Sequence, residues 1–263
     1  MDNRAFDLSV ALQSIPALLS YLDVTLIVGI LSIILGSLLG FVLASFKLSQ
    51  HKSLKYLAVA YTYIMRCTPS IVLLFIVFYG LPQLADALFS IDLNQLHRGV
   101  FAVITFTLLF GAYISEVFRA AYLAVPKGQY EAAVAVGLSS WQAFYHVIFP
   151  QATLVALPNF GNSVINLLKE GALAYTIGLI DLIGKGNLII AQNYGAYGIE
   201  IYFACMLIYW AMTIAIEKGV SRLEKHLNHG QGFVKVRSEF KVEKRSWLPL
   251  KFKLKRREAV NGA

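Results

Sequence analysis

Five residues with hydrogen-bonding or charged side chains, Asn159, Asn162, Ser163, Asn166 and Glu170, stand at offsets of 3, 4, 7 and 11 in a run otherwise made of Leu, Val, Ile and Phe. In a helix that spacing sets them along one face. Amides, a hydroxyl and a carboxylate can hold or pass a polar solute, and they break no bonds. In apolar surroundings such groups face a bundle interior or water, so the stripe reads as a pathway lining. It reads equally as interhelical hydrogen-bond glue. Lys169 and Glu170 fit either the two charges of a zwitterion or an interfacial position. Glu116 and Arg119 are spaced for an i,i+3 ion pair. Arg66, beside the Thr68-Pro69 kink, has a carboxylate such as Glu116 or a lipid phosphate as its candidate partner. Catalytic chemistry is harder to find. His51, His97, His146, His226 and His229 are scattered, and Cys67 and Cys205 lack metal-ligand spacing and read as buried, inert thiols. A Gly-x-x-x-x-Gly-Lys-Ser/Thr phosphate loop does not occur. No catalytic, cofactor-binding or metal-binding residue is therefore expected.

The elements that position these residues are apolar helices. Apolar types make up 57% of the 263 residues and charged types 14%, outside the soluble range of about 45–50% and about 25%. The mean hydropathy is +0.63. The fold class is an all-α integral membrane protein with about five transmembrane helices, expected at 21–46, 56–81, 99–125, 152–170 and 196–216. Residues 1–20, broken by Pro16, read as an interfacial lead-in, and their start lacks the basic region and cleavage site of a signal peptide. Gly36 and Gly40 in the first span have the small-xxx-small spacing that lets helices approach closely. The segment 47–55 is basic, 82–98 reads as a loop, and 171–187 as a short helix or hairpin. Residues 228–263 carry ten Lys/Arg against three Asp/Glu. On a membrane protein such a tail signals a cytoplasmic segment beside anionic lipid rather than nucleic-acid binding. With the N-terminus outside and the C-terminus inside, every basic cluster falls on one side. No internal repeat of the kind that marks many secondary transporters is visible.

One stretch departs from the apolar pattern. Pro126 ends the third span, a short helix is expected at 129–136, and Gly137 supplies a left-handed cap. Ser139 and Gln142 then form a capping box, and a second helix runs from Ser140 until Pro150 stops it. Ala132, Ala133 and Ala135 leave the first short helix slim enough to seat in a groove of another protein. The plainer reading is an amphipathic loop lying on lipid head groups.

This stretch resembles the EAA loop of the membrane subunits of bacterial ABC importers. It matches at Glu131, Ala132, Ala133, Gly137 and Pro150, with Val147 for Ile and Phe149 for Leu. Upstream, GAYISEVFRAAYLAVPKGQYEAA (111–133) is similar to the polar amino-acid uptake branch of that family. MRCTPSIVLLFIVFYGLP (65–82) resembles the branch's Arg-Gly-Thr-Pro segment, with Cys67 for Gly. LLKEGALAYTIGLIDLI (167–183) resembles its Lys-Asp-Thr-Ser-Leu-Ala segment, with Glu170, Gly171 and Ala172 in place of Asp-Thr-Ser. The resemblance covers about residues 15–225.

It implies a bacterial inner-membrane permease subunit that conducts a polar amino acid, with cystine as one candidate. The helix carrying Gln129, Tyr130, Glu131, Ala132 and Ala133, with Gly137, would be the coupling helix. It would dock on cytoplasmic ABC ATPase subunits, which hydrolyse ATP in this chain's stead. The other implied partners are an extracytoplasmic solute-binding protein and a second permease subunit, identical or not. A stand-alone secondary transporter or channel is the alternative, and it would need its own coupling device.

Overall fold

The computed structural model describes residues 6–230 of the chain, and all the regular structure among them is helical. Helix α1 (Leu8–Leu19) is capped by Asp7, whose carboxylate accepts from the Ser9 amide. It leads into α2 (Leu22–Leu48), α3 (Lys52–Cys67), α4 (Ser70–Phe75) and α5 (Leu81–Phe89). Next come α6 (Arg98–Ala124), α7 (Lys127–Ala135), α8 (Ser140–Ala143), α9 (Phe149–Gly171), α10 (Leu182–Gln192) and α11 (Gly198–Gly230). The basic tail expected at 228–263 lies almost wholly outside the described residues.

Among the described residues, four stretches are long and apolar enough to cross a bilayer: Leu22–Leu48, Ser70–Phe89, Arg98–Ala124 and Gly198–Leu227. The pair Ser140–Ile177 and Leu182–Gln192, bent by 47°, makes a fifth.

The second crossing differs from the expected 56–81. The chain breaks at Thr68 and Pro69, both extended, because proline disfavours helical geometry in the residue before it. The membrane-length helix therefore starts at Ser70. It continues to Phe89, through residues expected to be loop, despite Pro82. A π-helical turn, Ile76–Gly80, explains this: it ends two residues before the proline and opens the backbone where the ring would meet the preceding carbonyl turn. The same device operates at Pro150. A π-helical turn at Phe144–Ile148 lets α8 run on into α9, so Pro150 does not stop the helix as expected. The irregular stretch 171–187 resolves into a 3-10 turn, Ala172–Ile177, and the first half of α10. Cys67, expected to be buried, is exposed at the chain break; Cys205 is buried.

Helix α6 is the centre of the bundle and buries Phe101, Phe106, Leu109, Phe110 and Ile114 against α2, α4 and α9. It lies against α2 with almost no side-chain bulk between the backbones. A Cβ on Gly40 would stand 2.9 Å from Ile114 Cγ2 and 3.1 Å from the Gly111 carbonyl oxygen. On Gly36 it would meet Phe110 Cδ1 at 2.9 Å. Both the Gly40 neighbours belong to the facing helix, so neither can yield cheaply. Gly40→Leu is expected to destabilise the pair by about 1–3 kcal/mol. Its measurable consequence is a lower yield of monodisperse protein after detergent extraction, with Gly80→Leu, where space is open, as the unaffected control.

Contacts at the two ends of the bundle fix how the helices are grouped. At one end, Thr25 Oγ1 accepts from the Leu182 amide at 3.2 Å, and Arg98 donates to the Gly178 carbonyl at 2.7 Å. Gly178 has φ +78°, and a Cβ there would collide with that guanidinium, so the turn between the 3-10 segment and α10 requires glycine. At the other end the termini of α2 and α6 meet the start of α9, and α7 and α8 lie beside them.

Candidate functional site

The short helix α7 begins directly after α6. Val125 and Pro126 are extended, and the helix resumes at Lys127. Gly137 follows with φ +94°, a backbone conformation that L side chains rarely adopt. The Ser139–Gln142 capping box is complete: Ser139 N donates to Gln142 Oε1 at 2.9 Å, and Gln142 N to Ser139 Oγ at 3.3 Å. Such a cap contributes about 1 kcal/mol to a helix end. Two side-chain contacts lash α7 to its neighbours. The Tyr130 hydroxyl donates to Ser140 Oγ at 3.1 Å, and Gln151 reaches Gln129 at 3.5 Å.

This leaves Gln129, Tyr130, Glu131, Ala132 and Gly137 exposed, while Ala133 is turned inward at 5% exposure. Ala133 therefore seats the helix on its own chain and stands apart from the other five residues assigned to the docking face. The open face has a rim the sequence reading missed: Val136 is 81% exposed and Trp141 72%. Trp141, Tyr145 and Phe149 form a stack, with ring centroids 6.4 and 6.1 Å apart. Phe144 touches Trp141 on one side and Tyr122 of α6 on the other, at 5.9 and 6.4 Å. The aromatic spacing 141, 144, 145, 149 is helical, and it was the available signal. Behind this wall lies an apolar cleft of about 620 Å³ between α2, α6 and α9.

The polar stripe occupies one face of α9. Asn159, Asn162 and Asn166 are exposed, Ser163 and Glu170 half-buried. The Ser163 hydroxyl donates to the Asn159 carbonyl at 2.9 Å. The three asparagine side chains make no hydrogen bond to another described residue, so they are not glue within this subunit. Ser163, Asn166, Lys169 and Glu170 line an open pocket of about 300 Å³ with Phe110 and Tyr113 of α6. Asn159 and Asn162 continue the stripe outside that pocket.

Arg66 does not reach Glu116. Its guanidinium lies 5.7 Å from the centre of the Tyr113 ring. Glu116 instead binds Arg119, with Nε and Nη2 at 2.9 and 2.8 Å from Oε2. Its other oxygen accepts from Lys47, the first residue of the basic segment 47–55. The structure thus joins Glu116 to Arg119 and Lys47, and sets Arg66 against Tyr113.

Comparison with known proteins fits this arrangement. Residues 32–229 match the family described as binding-protein-dependent transport system inner membrane component. The L-cystine transport system permease protein TcyL of Bacillus subtilis is 38% identical over 228 residues, 87% of this chain and 94% of that protein. The histidine/lysine/arginine/ornithine transport system permease protein HisQ of Salmonella typhimurium is 36% identical over 214 residues, 79% of this chain and 91% of that one. Among solved structures, one titled as an amino acid ABC transporter with histidines superposes with a TM-score of 0.73 at 31% identity, covering 85% of this chain and all of that one. An inward-facing MetNI methionine ABC transporter superposes with a TM-score of 0.58 at 21% identity, over 81% of this chain and 94% of that one, which speaks for the fold alone. This chain belongs to the family of binding-protein-dependent transport system inner membrane components, and is a multi-pass permease subunit of a bacterial inner membrane.

Proposed function

We propose that the chain forms the translocation path of an ATP-binding-cassette importer for polar amino acids and draws its energy from a separate ATPase. The observation that carries this reading is the exposed helix Lys127–Ala135, joined to the central helix α6 by only Val125 and Pro126 and ended by the left-handed Gly137. A slim helix fixed to the bundle's core helix is what an ATPase needs to push. ATP-driven closure of two cytoplasmic ATPase subunits displaces α7 and Gly137, and α6 conveys the motion. In this orientation the N-terminus lies outside, and an extracytoplasmic binding protein delivers the solute at the end marked by Arg98 and Gly178. A second permease subunit, identical or not, closes the path opposite the Asn159–Asn166 face.

The pocket beside that face suits an amino acid. Glu170 offers a carboxylate to an ammonium, and Lys169 offers a cation to a carboxylate. Asn166 and Ser163 supply neutral hydrogen bonds between them. The relatives named for cystine and for histidine, lysine, arginine and ornithine transport support a polar amino acid, with cystine among the candidates.

The test is uptake of labelled L-cystine and L-histidine into proteoliposomes. The complete complex with ATP inside is expected to accumulate at least one of them. Accumulation by this chain without an ATPase subunit would overturn the proposal in favour of a stand-alone transporter.

A further inference from the structure

The last turn of α2 holds a lysine whose burial is unusual. Lysines near the ends of membrane helices extend their four-carbon stems toward water and head groups. Lys47 stands next to the final residue of α2, yet its side chain is 1% exposed. Its Nζ donates to Ser115 Oγ at 2.6 Å and to Glu116 Oε1 at 2.8 Å. Glu116 is held in turn by Arg119 through its other oxygen. Ser115 Oγ also lies 3.5 Å from Thr62 Oγ1 of α3. One network therefore ties α2, α3 and α6 together in the part of the bundle from which α7 extends.

Stability alone is a poor reason for it. A buried ion pair gains little over apolar residues of the same volume, and α2 and α6 are already packed through Gly36, Gly40 and Gly111. Apolar packing allows neighbouring helices to slide, whereas hydrogen bonds between fixed charges hold one register. The network sits where load would arrive: Glu116 and Arg119 lie within the last three turns of α6, and α7 follows through Pro126.

We propose that Lys47 is a positioning residue that locks α2 and α3 to α6, so that a push on α7 moves the three helices as one body. This rests on the reading of α7 as the ATPase handle. Without the lock, ATP hydrolysis would move α6 while part of the bundle lagged behind, and turnover would be spent without transport.

The experiment measures labelled L-cystine or L-histidine transported per ATP hydrolysed, using the complete complex in proteoliposomes. This ratio is independent of the fraction of complex that assembles. Lys47→Met, which keeps the stem's volume, is expected to lower it at least fivefold while ATP hydrolysis continues. Glu116→Gln, a milder change, is expected to shift it in the same direction. An unchanged ratio in either assembled variant overturns the proposal, and so does loss of assembly in both, which would make the network a folding element. Failure of the handle reading itself shows separately: Gly137→Val would then keep its ATPase subunits and its wild-type ratio.

Discussion

Gly137→Val is expected to lower uptake about 5- to 30-fold while the protein still inserts into the membrane. Gly137 has φ +94° and nothing within 4 Å of where a Cβ would stand. Steric conflict inside the subunit is therefore absent, and the effect comes from the backbone. A left-handed L residue costs about 1–2 kcal/mol, and a β-branched one is an outlier there. The turn relaxes that strain by rotating, which detaches the hydrogen bonds from Gly137 N to the Val134 carbonyl and from Leu138 N to the Ala133 carbonyl, now 3.0 and 3.2 Å. The end of α7 then loses its aim. Strain of this size corresponds to roughly a 5- to 30-fold weaker association with an ATPase. Co-purification of the ATPase with tagged protein reads the loss, and wild-type membrane content shows that folding survived. Gly137→Asn, which tolerates the left-handed region, is expected to retain most of the association.

The second large effect belongs to the α9 stripe. Asn162→Leu and Asn166→Leu are expected to reduce uptake about tenfold or more, leaving assembly and ATPase attachment intact. Their amides have no hydrogen-bond partner among the described residues, so removing them breaks nothing within the subunit. A lost hydrogen bond to a charged group is worth about 1.5–3 kcal/mol, and a pathway residue would forfeit it when the solute passes. Initial rates of uptake alongside the yield of purified complex separate the outcomes. Unchanged uptake with reduced yield would assign the asparagines to contact with a second subunit.

Local signals carried the reading of the knob. Proline, a left-handed glycine and a capping box each act within a few residues, so 126–142 was legible from sequence. Gly36 and Gly40 were legible for the same reason: a small residue every fourth position has one geometric use. The stripe on α9 came from periodicity, and the missing partners within the subunit bear only on glue inside this chain; lining the path and contact with a second subunit are what the uptake experiment separates. Prolines misled where the backbone had a second option. The π-helical turns before Pro82 and Pro150 relieve the clash, and nothing in the residue types announces them. Lys47 was illegible because its partners lie 68 and 69 residues away; in sequence it is one more basic residue after an apolar helix. Of the two partners open to Arg66, the structure shows no contact with Glu116. Its guanidinium lies by Tyr113, while Lys47 and Arg119 take the Glu116 carboxylate.

The central claim is that α7 is the surface an ATPase grips, and cross-linking from Ala132 tests it most directly. Ala132 is exposed on α7, so Ala132→Cys presents a thiol on that face once Cys67 and Cys205 are replaced by serine and alanine. In native membranes a short thiol cross-linker is expected to join Ala132→Cys to the ATPase subunit, with a yield that changes when ATP binds. The same cysteine at Ser90, a residue at the opposite end of the bundle, should give no such product. A cross-link to the ATPase from Ser90 and none from Ala132 would contradict both the handle and the orientation built on it.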